Sequence, residues 1–446
     1  MNIKLPNDVL YIINKIESAG HEVFVVGGAI RDILIGKYPN DYDLTTSAKP
    51  QEIIDLFEKS ILTGVKHGTV TIPIEGSNYD ITTYRVESAY VNKRAPENVT
   101  FTKDIYEDLL RRDFTINSIA YNPNKRLVDP FNGLEDLNKR TIKTVGNPNE
   151  RFDEDALRML RAIRFATTLN YNLDPKTSLS IVENAENLKY ISKERIRNEI
   201  NTILISDYPK RGLKMISNLG LLKYIFPSLI PLIAFNQFNR YHDENVFDHS
   251  LEVVANTPKH LHTRLAALFH DSGKPDTFTV DKNGAGHFYG HEMRSSEITI
   301  ESLKHLKYDN KTISNVYTLV KNHMVSVDIK KENKIKKLIK EVGEDNLDSL
   351  ISLKRADISA KRSDIGLQNK DIDLFKDKIY NILNSNEPLS IKDLAINGND
   401  IMSLGIKEGI EIGKILAYLL EKVLDNPSLN TKEKLIDLTL RHRKEK

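Results

Sequence analysis

One stretch decides the fold: Phe24-Val25-Val26-Gly27-Gly28-Ala29-Ile30-Arg31-Asp32, an apolar strand that runs into two glycines and a helix start. A glycine turn at a helix N-terminus accepts phosphate, because its backbone N–H groups point outward and no Cβ blocks the approach. The segment Asn40-Asp41-Tyr42-Asp43-Leu44 follows, and alternate residues of an extended segment project from the same face. Two carboxylates on one face are suited to Mg²⁺. Together the two stretches predict a site for a nucleoside triphosphate and its metal ions.

The composition is that of a soluble globular protein. The chain has 446 residues, 40% hydrophobic and 28% charged, which at roughly 150 residues per domain indicates about three domains. The net charge is +2, so any nucleic-acid binding must depend on local clusters of basic residues. The sequence contains no cysteine, which excludes disulfides, thiolate zinc sites and a cysteine nucleophile. No signal-like N-terminus and no membrane-length apolar run are present, so we expect a cytoplasmic protein without a membrane partner.

The first third of the chain mixes helix and strand patterns. Helices are predicted at 6–19 and 48–60, and alternating β-branched strands at 69–74 and 79–85. The polar stretch from 87 to 107 predicts a mobile loop with a short strand at 99–102, and a helix is predicted at 108–120.

From about residue 146 the strand patterns nearly vanish. Helical periodicity predicts helices at 153–169, 174–186, 192–205, 209–219, 247–258, 261–270, 290–306, 310–323, 332–341, 346–362, 369–385, 399–402, 409–424 and 430–441. The predicted fold class is therefore α+β, with a small mixed-sheet head and an all-α remainder.

Three carboxylates are candidates for the catalytic metal site. Two-metal nucleotidyl transfer needs acidic ligands that hold ions about 3.5–4 Å apart. Asp41 and Asp43 are the first two candidates, and Asp80, on the predicted strand that follows, is the third. The alternative is that Asn40 to Asp43 forms an ordinary turn.

Paired arginines come next, in Asp108-Leu109-Leu110-Arg111-Arg112-Asp113-Phe114-Thr115-Ile116-Asn117. Arginines near a carboxylate site bind a triphosphate through charge-assisted hydrogen bonds. The alternative is a surface arginine pair that forms salt bridges with Asp108 and Asp113, a common feature that contributes little.

A third motif is Glu154-Asp155-Ala156-Leu157-Arg158-Met159-Leu160-Arg161-Ala162-Ile163-Arg164-Phe165. On a predicted helix Asp155 and Arg158 share a face, and a salt-bridged amphipathic helix is the simplest interpretation. A carboxylate acceptor beside a guanidinium donor also matches the Watson–Crick edge of cytosine or adenine, and leaves guanine and uracil with unpaired polar groups.

These motifs, in this order and spacing, resemble the class II tRNA nucleotidyltransferases, the bacterial CCA-adding enzymes and poly(A) polymerases of the DNA-polymerase-beta-like superfamily. The resemblance is close over residues 1 to about 230 and looser beyond. It implies a polymerase-beta-like head that adds C, C and A to the tRNA 3′ end from CTP and ATP. Poly(A) polymerase or A-adding activity is the nearest alternative.

The resemblance also implies roles for individual residues. Asp41 and Asp43 would bind Mg²⁺, with Asp80 as a further catalytic carboxylate. The remaining implied site residues bind the nucleotide: Gly27, Gly28, Arg31 and Arg112 its triphosphate, Asp155 and Arg158 its base, and Arg161 and Arg164 in support. The loop Tyr90-Val91-Asn92-Lys93-Arg94-Ala95-Pro96 lacks the aspartate and one arginine of the family's usual pattern, which bears on the choice between CTP and ATP.

A fourth motif set is rich in histidine. The series His249, His270-Asp271 and Asp357 resembles the HD phosphohydrolase superfamily and implies a second divalent metal, with His291 and His323 as possible further ligands. A metal-bound water there could attack a phosphate ester, although a catalytically idle site is an alternative, as is an HD phosphohydrolase with a vestigial head.

The expected domains follow from these assignments. They are a nucleotidyltransferase head (1–145), a helical neck and body (146–240), an HD domain (241–365) and a helical tail that binds tRNA (366–446).

Overall fold

The computed structural model describes residues 3–64, 68–91, 95–235, 245–282, 286–326, 332–361, 369–385, 388–406 and 409–444. The chain divides into two compact units, Met1–Pro227 and Ser228–Lys446. The division into four domains remains a prediction.

The first unit is built on a seven-stranded mixed sheet in the order β3-β4-β5-β2-β1-β8-β9. The strands of this unit are β1 (Val23–Val26), β2 (Asp43–Thr46), β3 (Ile61–Gly64), β4 (Thr69–Ile74), β5 (Ser77–Thr83), β6 (Arg85–Val91), β7 (Ala95–Phe101), β8 (Ala120–Asn122), β9 (Arg126–Val128), β10 (Thr141–Ile142) and β11 (Asn172–Leu173). β1 is buried along its whole length, and it pairs antiparallel with β2 on one side and with β8 on the other. β2 and β5 run parallel.

The helices of the first unit pack around this sheet and continue beyond it. They are α1 (Asn7–Ser18), α2 (Gly28–Leu34), α3 (Pro50–Leu56), α4 (Ile105–Leu110), α5 (Gly133–Asn138), α6 (Pro148–Glu154), α7 (Leu157–Thr168), α8 (Pro175–Asn184), α9 (Lys193–Leu204), α10 (Pro209–Asn218) and α11 (Leu222–Ile225).

The predicted loop at 87–107 was wrong in part. Most of that stretch belongs to an antiparallel hairpin of β6 and β7, and residues 92–94 lie outside the described part of the chain. Pairing between the two strands satisfies the backbone hydrogen-bonding groups of this polar segment. The segment was not predicted as a hairpin because its sequence lacks the apolar alternation of a half-buried strand.

The predicted helix at 108–120 was also wrong. α4 ends at Leu110, and Phe114 adopts an extended conformation. The backbone here pairs with a distant segment, since Thr115 N donates to Lys143 O (2.9 Å) and Val145 N donates to Asp113 O (3.1 Å). These long-range bonds replace the helical ones.

The second unit is almost entirely helical, as predicted. Its helices are α12 (Val246–Asn256), α13 (Leu261–Phe269), α14 (His291–His305), α15 (Asn310–Asn322), α16 (Glu332–Val342), α17 (Glu344–Ser359), α18 (Asn369–Asn384), α19 (Gly398–Met402), α20 (Ile410–Asp425) and α21 (Lys432–Lys444), and β12 (Thr279–Val280) pairs with β13 (Gly286–His287). Among the described helices, none is both long enough and apolar enough to cross a bilayer. The predicted α+β fold class is confirmed.

Candidate functional site

The glycine turn lies at the end of β1, an inner strand of the sheet. Val26, the last residue of β1, pairs with Asp43 at the start of β2, so the turn and the carboxylate meet at one edge. Gly27 has a φ of +77°, a left-handed conformation that favours glycine. A Cβ on Gly27 would lie 3.5 Å from Arg112 Nη1, and one on Gly28 would lie 3.6 Å from Arg31 Nη2. Two guanidinium groups therefore stand over the turn, which suits a phosphate chain.

The carboxylates predicted for the metal site lie near one another. β5 runs parallel to β2, and Leu44 pairs with Ile81. Asp43 and Asp80 each come directly before these paired residues, so they lie side by side on neighbouring strands. Desolvation and the negative charges of Asp41 and Asp80 raise the pKa of the Asp43 carboxyl above its ordinary value, and the Arg112 guanidinium partly offsets that shift. Carboxylates that repel one another in this way fit a divalent cation.

Arg111 and Arg112 are held by one buried carboxylate. Asp108 accepts from Arg111 Nη2 at 2.6 Å and from Arg112 Nη2 at 3.2 Å, and Thr45 Oγ1 also donates to it. The Nε of Arg112 is buried and has no hydrogen-bond partner among the described residues. A buried donor left open beside a glycine turn fits an anionic ligand.

Asp155 and Arg158 are positioned by ion pairs with other residues. Asp155 has extended backbone angles and separates α6 from α7, so the predicted helix at 153–169 is two helices and the pair does not share one helix face. At this interruption the Asp155 Oδ1 accepts from Leu157 N, the first residue of α7, at 3.0 Å. Oδ2 accepts from Arg195 Nη2 at 2.6 Å, and Arg158 pairs with Glu154.

Arg161 and Arg164 take different positions on α7. Arg161 donates to Asp113 Oδ2 through Nε (2.8 Å) and Nη2 (2.6 Å). Burial alone would raise the pKa of Asp113, but the Arg161 guanidinium outweighs it and lowers that pKa. Arg164 pairs with Glu199 at 2.6 Å and lies 4.0 Å from the ring centre of Phe165.

These groups surround a cavity of about 460 Å³, which we call the arginine-lined cavity. Its lining residues are Gly27, Gly28, Arg31, Asp41, Asp43, Arg111, Arg112, Asp113, Asn117, Asp155, Leu157, Arg158, Arg161, Phe165 and Arg195. Of the residues predicted for this site, Asp80 and Arg164 are not among them: Asp80 accepts from Thr71 Oγ1 at 2.5 Å instead.

Several lining residues were given no role by the sequence, among them Asn117, Phe165 and Arg195. Asn117 accepts from Arg31 Nη1 at 2.8 Å, and the Phe165 ring lies 5.1 Å from the Arg31 guanidinium carbon. Arg195 reaches Asp155 from α9, which lies 40 positions further along the chain. Asn117 and Phe165 are the last residues of the paired-arginine motif and of the 154–165 motif, so they could have been considered. Arg195 lies in no motif, and no pattern in the neighbouring sequence indicates its role.

The histidine-rich series forms a second group, in the second unit. His249 Nε2 lies 3.1 Å from Asp357 Oδ1, and His270 Nε2 lies 3.2 Å from Asp271 Oδ2. The four predicted ligands therefore come together, and His291 and His323 adjoin them. We call these six residues the histidine cluster: His249, His270, Asp271, His291, His323 and Asp357.

The histidine cluster is almost closed to solvent. His270 is 1% exposed and His323 5%. Burial lowers the pKa of His323 to about 4, so this imidazole is neutral at physiological pH and keeps a lone pair for a metal. Burial alone would raise the pKa of Asp271, but the neighbouring His270 and Lys274 hold it well below its usual range.

Family models match most of the chain. They are the poly A polymerase head domain (residues 23–143), the probable RNA and SrmB-binding site of polymerase A (170–233) and a putative tRNA nucleotidyltransferase domain 2 (292–439). The resemblance of the histidine-rich series to HD phosphohydrolases remains a prediction.

Curated relatives extend the match. The CCA-adding enzyme of Levilactobacillus brevis is 34% identical over 430 residues, which cover 95% of each chain. That of Limosilactobacillus reuteri is 46% identical over 238 residues, 52% of this chain and 59% of the relative. Among solved structures, the Bacillus stearothermophilus CCA-adding enzyme in complex with CTP has a TM-score of 0.74 at 27% identity, over 99% of each chain.

Proposed function

We propose, since this chain belongs to the CCA-adding enzyme family of tRNA nucleotidyltransferases, that it adds CMP and AMP from CTP and ATP to the tRNA 3′ end without a nucleic-acid template. The family depends on a divalent metal, which we propose to be Mg²⁺ here. We further propose that the reaction takes place in the cytoplasm.

One observation supports this function above the others: a single cavity combines two candidate metal carboxylates, the glycine turn and the candidate base-selecting pair. It brings Asp41 and Asp43, the glycine turn, and the Asp155 and Arg158 side chains around about 460 Å³. That volume falls within the range of small-molecule sites, roughly 300–1,000 Å³.

The triphosphate would lie on the glycine turn. Backbone N–H groups at Gly28 and the guanidinium groups of Arg31 and Arg112 would bind its oxygens, with Arg112 Nε as the open donor. Mg²⁺ on Asp41 and Asp43 would supply activation of the tRNA 3′-hydroxyl and charge neutralisation for pyrophosphate. The 3′ oxygen attacks the α-phosphorus, its bond to that phosphorus forms, and the bond to the bridging oxygen of pyrophosphate breaks. The proton of the 3′-hydroxyl is released to water.

The base would be selected beside α7. The Asp155 carboxylate would accept from the exocyclic amino group of cytosine or adenine, and Arg158 would donate to the neighbouring ring nitrogen. Guanine and uracil present the reverse pattern and leave these groups unpaired, a penalty that gives strong discrimination. Arg195 and Glu154, which hold the two side chains, act as positioning residues.

The experiment is to incubate the protein with tRNA that lacks its CCA end, with CTP alone, ATP alone and both. We expect two added nucleotides with CTP, none with ATP alone, and three with both. Addition of adenosine runs without CMP incorporation would favour the poly(A) polymerase alternative. Addition of a single A, only to tRNA that already ends in CC, would indicate an A-adding enzyme.

A further inference from the structure

Two arginines from α6 and α7 bind the backbone where α4 ends. The last carbonyls of a helix have no partner within the helix, and arginine side chains can bind them. Arg151 Nη1 donates to Leu110 O at 3.1 Å, and Arg158 Nη2 donates to Arg111 O at 3.1 Å. Consecutive carbonyls of the segment that leads into Arg112 are therefore held from outside α4.

The same segment is also held through its side chains. Asp108, which is fully buried, accepts from Arg111 Nη2 at 2.6 Å and from Arg112 Nη2 at 3.2 Å. A Cβ on Gly27 would lie 3.5 Å from Arg112 Nη1. The placement of this short segment therefore sets how close a guanidinium comes to the glycine turn.

Glu154 joins the two arginines that hold those carbonyls. Its Oε1 lies 2.5 Å from Arg151 Nη2, and its Oε2 pairs with Arg158 Nη1. Arg158 Nη1 also donates to Arg151 O at 3.3 Å. The three side chains are only 11–19% exposed, so the loss of one leaves a poorly hydrated charge behind. We call Arg151, Glu154 and Arg158 the arginine clasp.

Within the clasp, Arg158 lines the arginine-lined cavity, whereas Arg151 lies outside that lining. We propose that Arg151 is a positioning residue for both halves of the nucleotide. Through Glu154 it holds Arg158 toward the base, and through Leu110 O it holds Arg112 toward the triphosphate. This inference rests on the proposed function and adds to it a residue that fixes the spacing between the two subsites.

The clasp also limits which base Arg158 can pair with. Its guanidinium is shared among the Glu154 carboxylate and the carbonyls of Arg151 and Arg111. A guanidinium fixed in this way cannot turn to suit guanine or uracil, which then leave polar groups unpaired. Without Arg151, the same side chain would have more freedom to turn, and the penalty for a wrong base would fall.

The test separates the triphosphate from the base. Inorganic tripolyphosphate carries the anionic part of the nucleotide alone, and isothermal titration calorimetry with Mg²⁺ gives the Kd of tripolyphosphate and of CTP for the full chain. We expect Arg151→Ala to weaken both ligands by about ten-fold, because Leu110 O and Glu154 each lose a charge-assisted partner. Asp155→Ala, which acts on the base alone, should weaken CTP and leave tripolyphosphate unchanged.

Arg211→Ala is the matched control. Arg211 Nη2 also donates to a backbone carbonyl in the same unit, that of Tyr171 at 2.5 Å, but Arg211 does not line the cavity. This variant should bind both ligands as the wild type does.

Single-turnover addition of one nucleotide gives a second readout. Arg151→Ala should lower the rate of CMP addition by about ten-fold or more, because a small misplacement of the reacting groups is costly. The preference for CTP over UTP should fall as well. Arg151→Lys keeps a charge beside Glu154 but lacks the planar fork that reaches two acceptors, so it should recover only part of each loss.

Circular dichroism and urea unfolding check the fold of every variant, and Arg151→Met, which keeps the length of the side chain, replaces Arg151→Ala if that variant unfolds. Wild-type affinity for tripolyphosphate in the folded variant would overturn the link to the triphosphate, and an unchanged preference for CTP over UTP would overturn the link to the base. The proposed function fails separately, if the wild type adds no CMP to tRNA that lacks its CCA end.

Discussion

The arginine-lined cavity and the histidine cluster offer a cation opposite kinds of ligand set. In the cavity, exposed Asp41 and Asp43 offer oxygens beside permanently charged arginines. In the cluster, imidazoles buried to 5% exposure or less converge on two carboxylates. Oxygen ligands in an open site suit a Mg²⁺ that exchanges with each nucleotide. Nitrogen ligands in a closed site suit an ion that stays bound.

The largest expected effect comes from substitutions that remove the ligands of one site and leave the other site intact. Asp41→Ala/Asp43→Ala should lower CMP addition by about a thousand-fold or more, because metal ions contribute several kcal/mol of charge stabilisation in the transition state. Asp271→Ala should leave CMP addition unchanged. Incorporation of labelled CMP into tRNA without its CCA end measures both. Addition that survives the double substitution would contradict the assignment of the metal site.

A smaller effect is expected at Arg195, whose proposed role is to hold the Asp155 carboxylate in place. Hydrogen bonds to charged groups contribute about 1.5–3 kcal/mol, so Arg195→Ala should lower kcat/KM about ten- to a hundred-fold for CTP and ATP alike. Discrimination against UTP should also relax, because a loosened Asp155 no longer penalises the wrong base. Single-turnover assays with each nucleotide measure this.

Arg195→Lys should recover part of the lost rate. Lys189→Ala, which removes a surface ion pair with Glu186 and a contact with the Tyr190 ring in the same unit, is the matched control and should change neither rate nor discrimination. A rate loss in Arg195→Ala with discrimination intact would indicate a purely structural role.

The smallest effect appears only in acid and concerns Asp113, the carboxylate that holds Arg161. Its pKa in the folded state lies below the ordinary value, about 3.9. The ionised pair therefore stabilises the fold fully above about pH 4, and this contribution is lost as the pH falls through the folded-state pKa. Urea unfolding of wild type and Asp113→Asn should give a constant difference from pH 7 to 5 that shrinks below pH 4. A difference that grows in acid would contradict this.

Local patterns predicted much of the molecule. The glycine turn, Asp41 and Asp43 are close in sequence and meet at the cavity. The second unit followed its helical periodicity closely: a helix predicted at 261–270 runs from Leu261 to Phe269. A helix that packs one face against a core has apolar residues at helical spacing in its sequence. This periodicity can be recognised without knowing which distant segments the helix contacts.

The predictions failed where distant segments determine the backbone. The helix expected at 108–120 ends early because Thr115 and Val145 enter pairs with partners about 30 residues away in sequence. Arg195 escaped notice for the same reason, since its partner lies 40 residues earlier. The break at Asp155 was local, but its carboxylate could equally have faced solvent on a continuous helix.

β1 has a consequence for how this protein could change. Its four buried residues tie the turn at Gly27 to Asp43 through one hydrogen-bonded ladder. In the proposed function, phosphate and metal would therefore meet in a fixed geometry whichever base is bound. In the proposed function, base choice would depend instead on Asp155, Arg158 and the two residues that hold them. The reaction and the nucleotide specificity can therefore evolve separately. Substitutions along α6, α7 and α9 could change which nucleotides are added while the chemistry at the end of β1 stays the same.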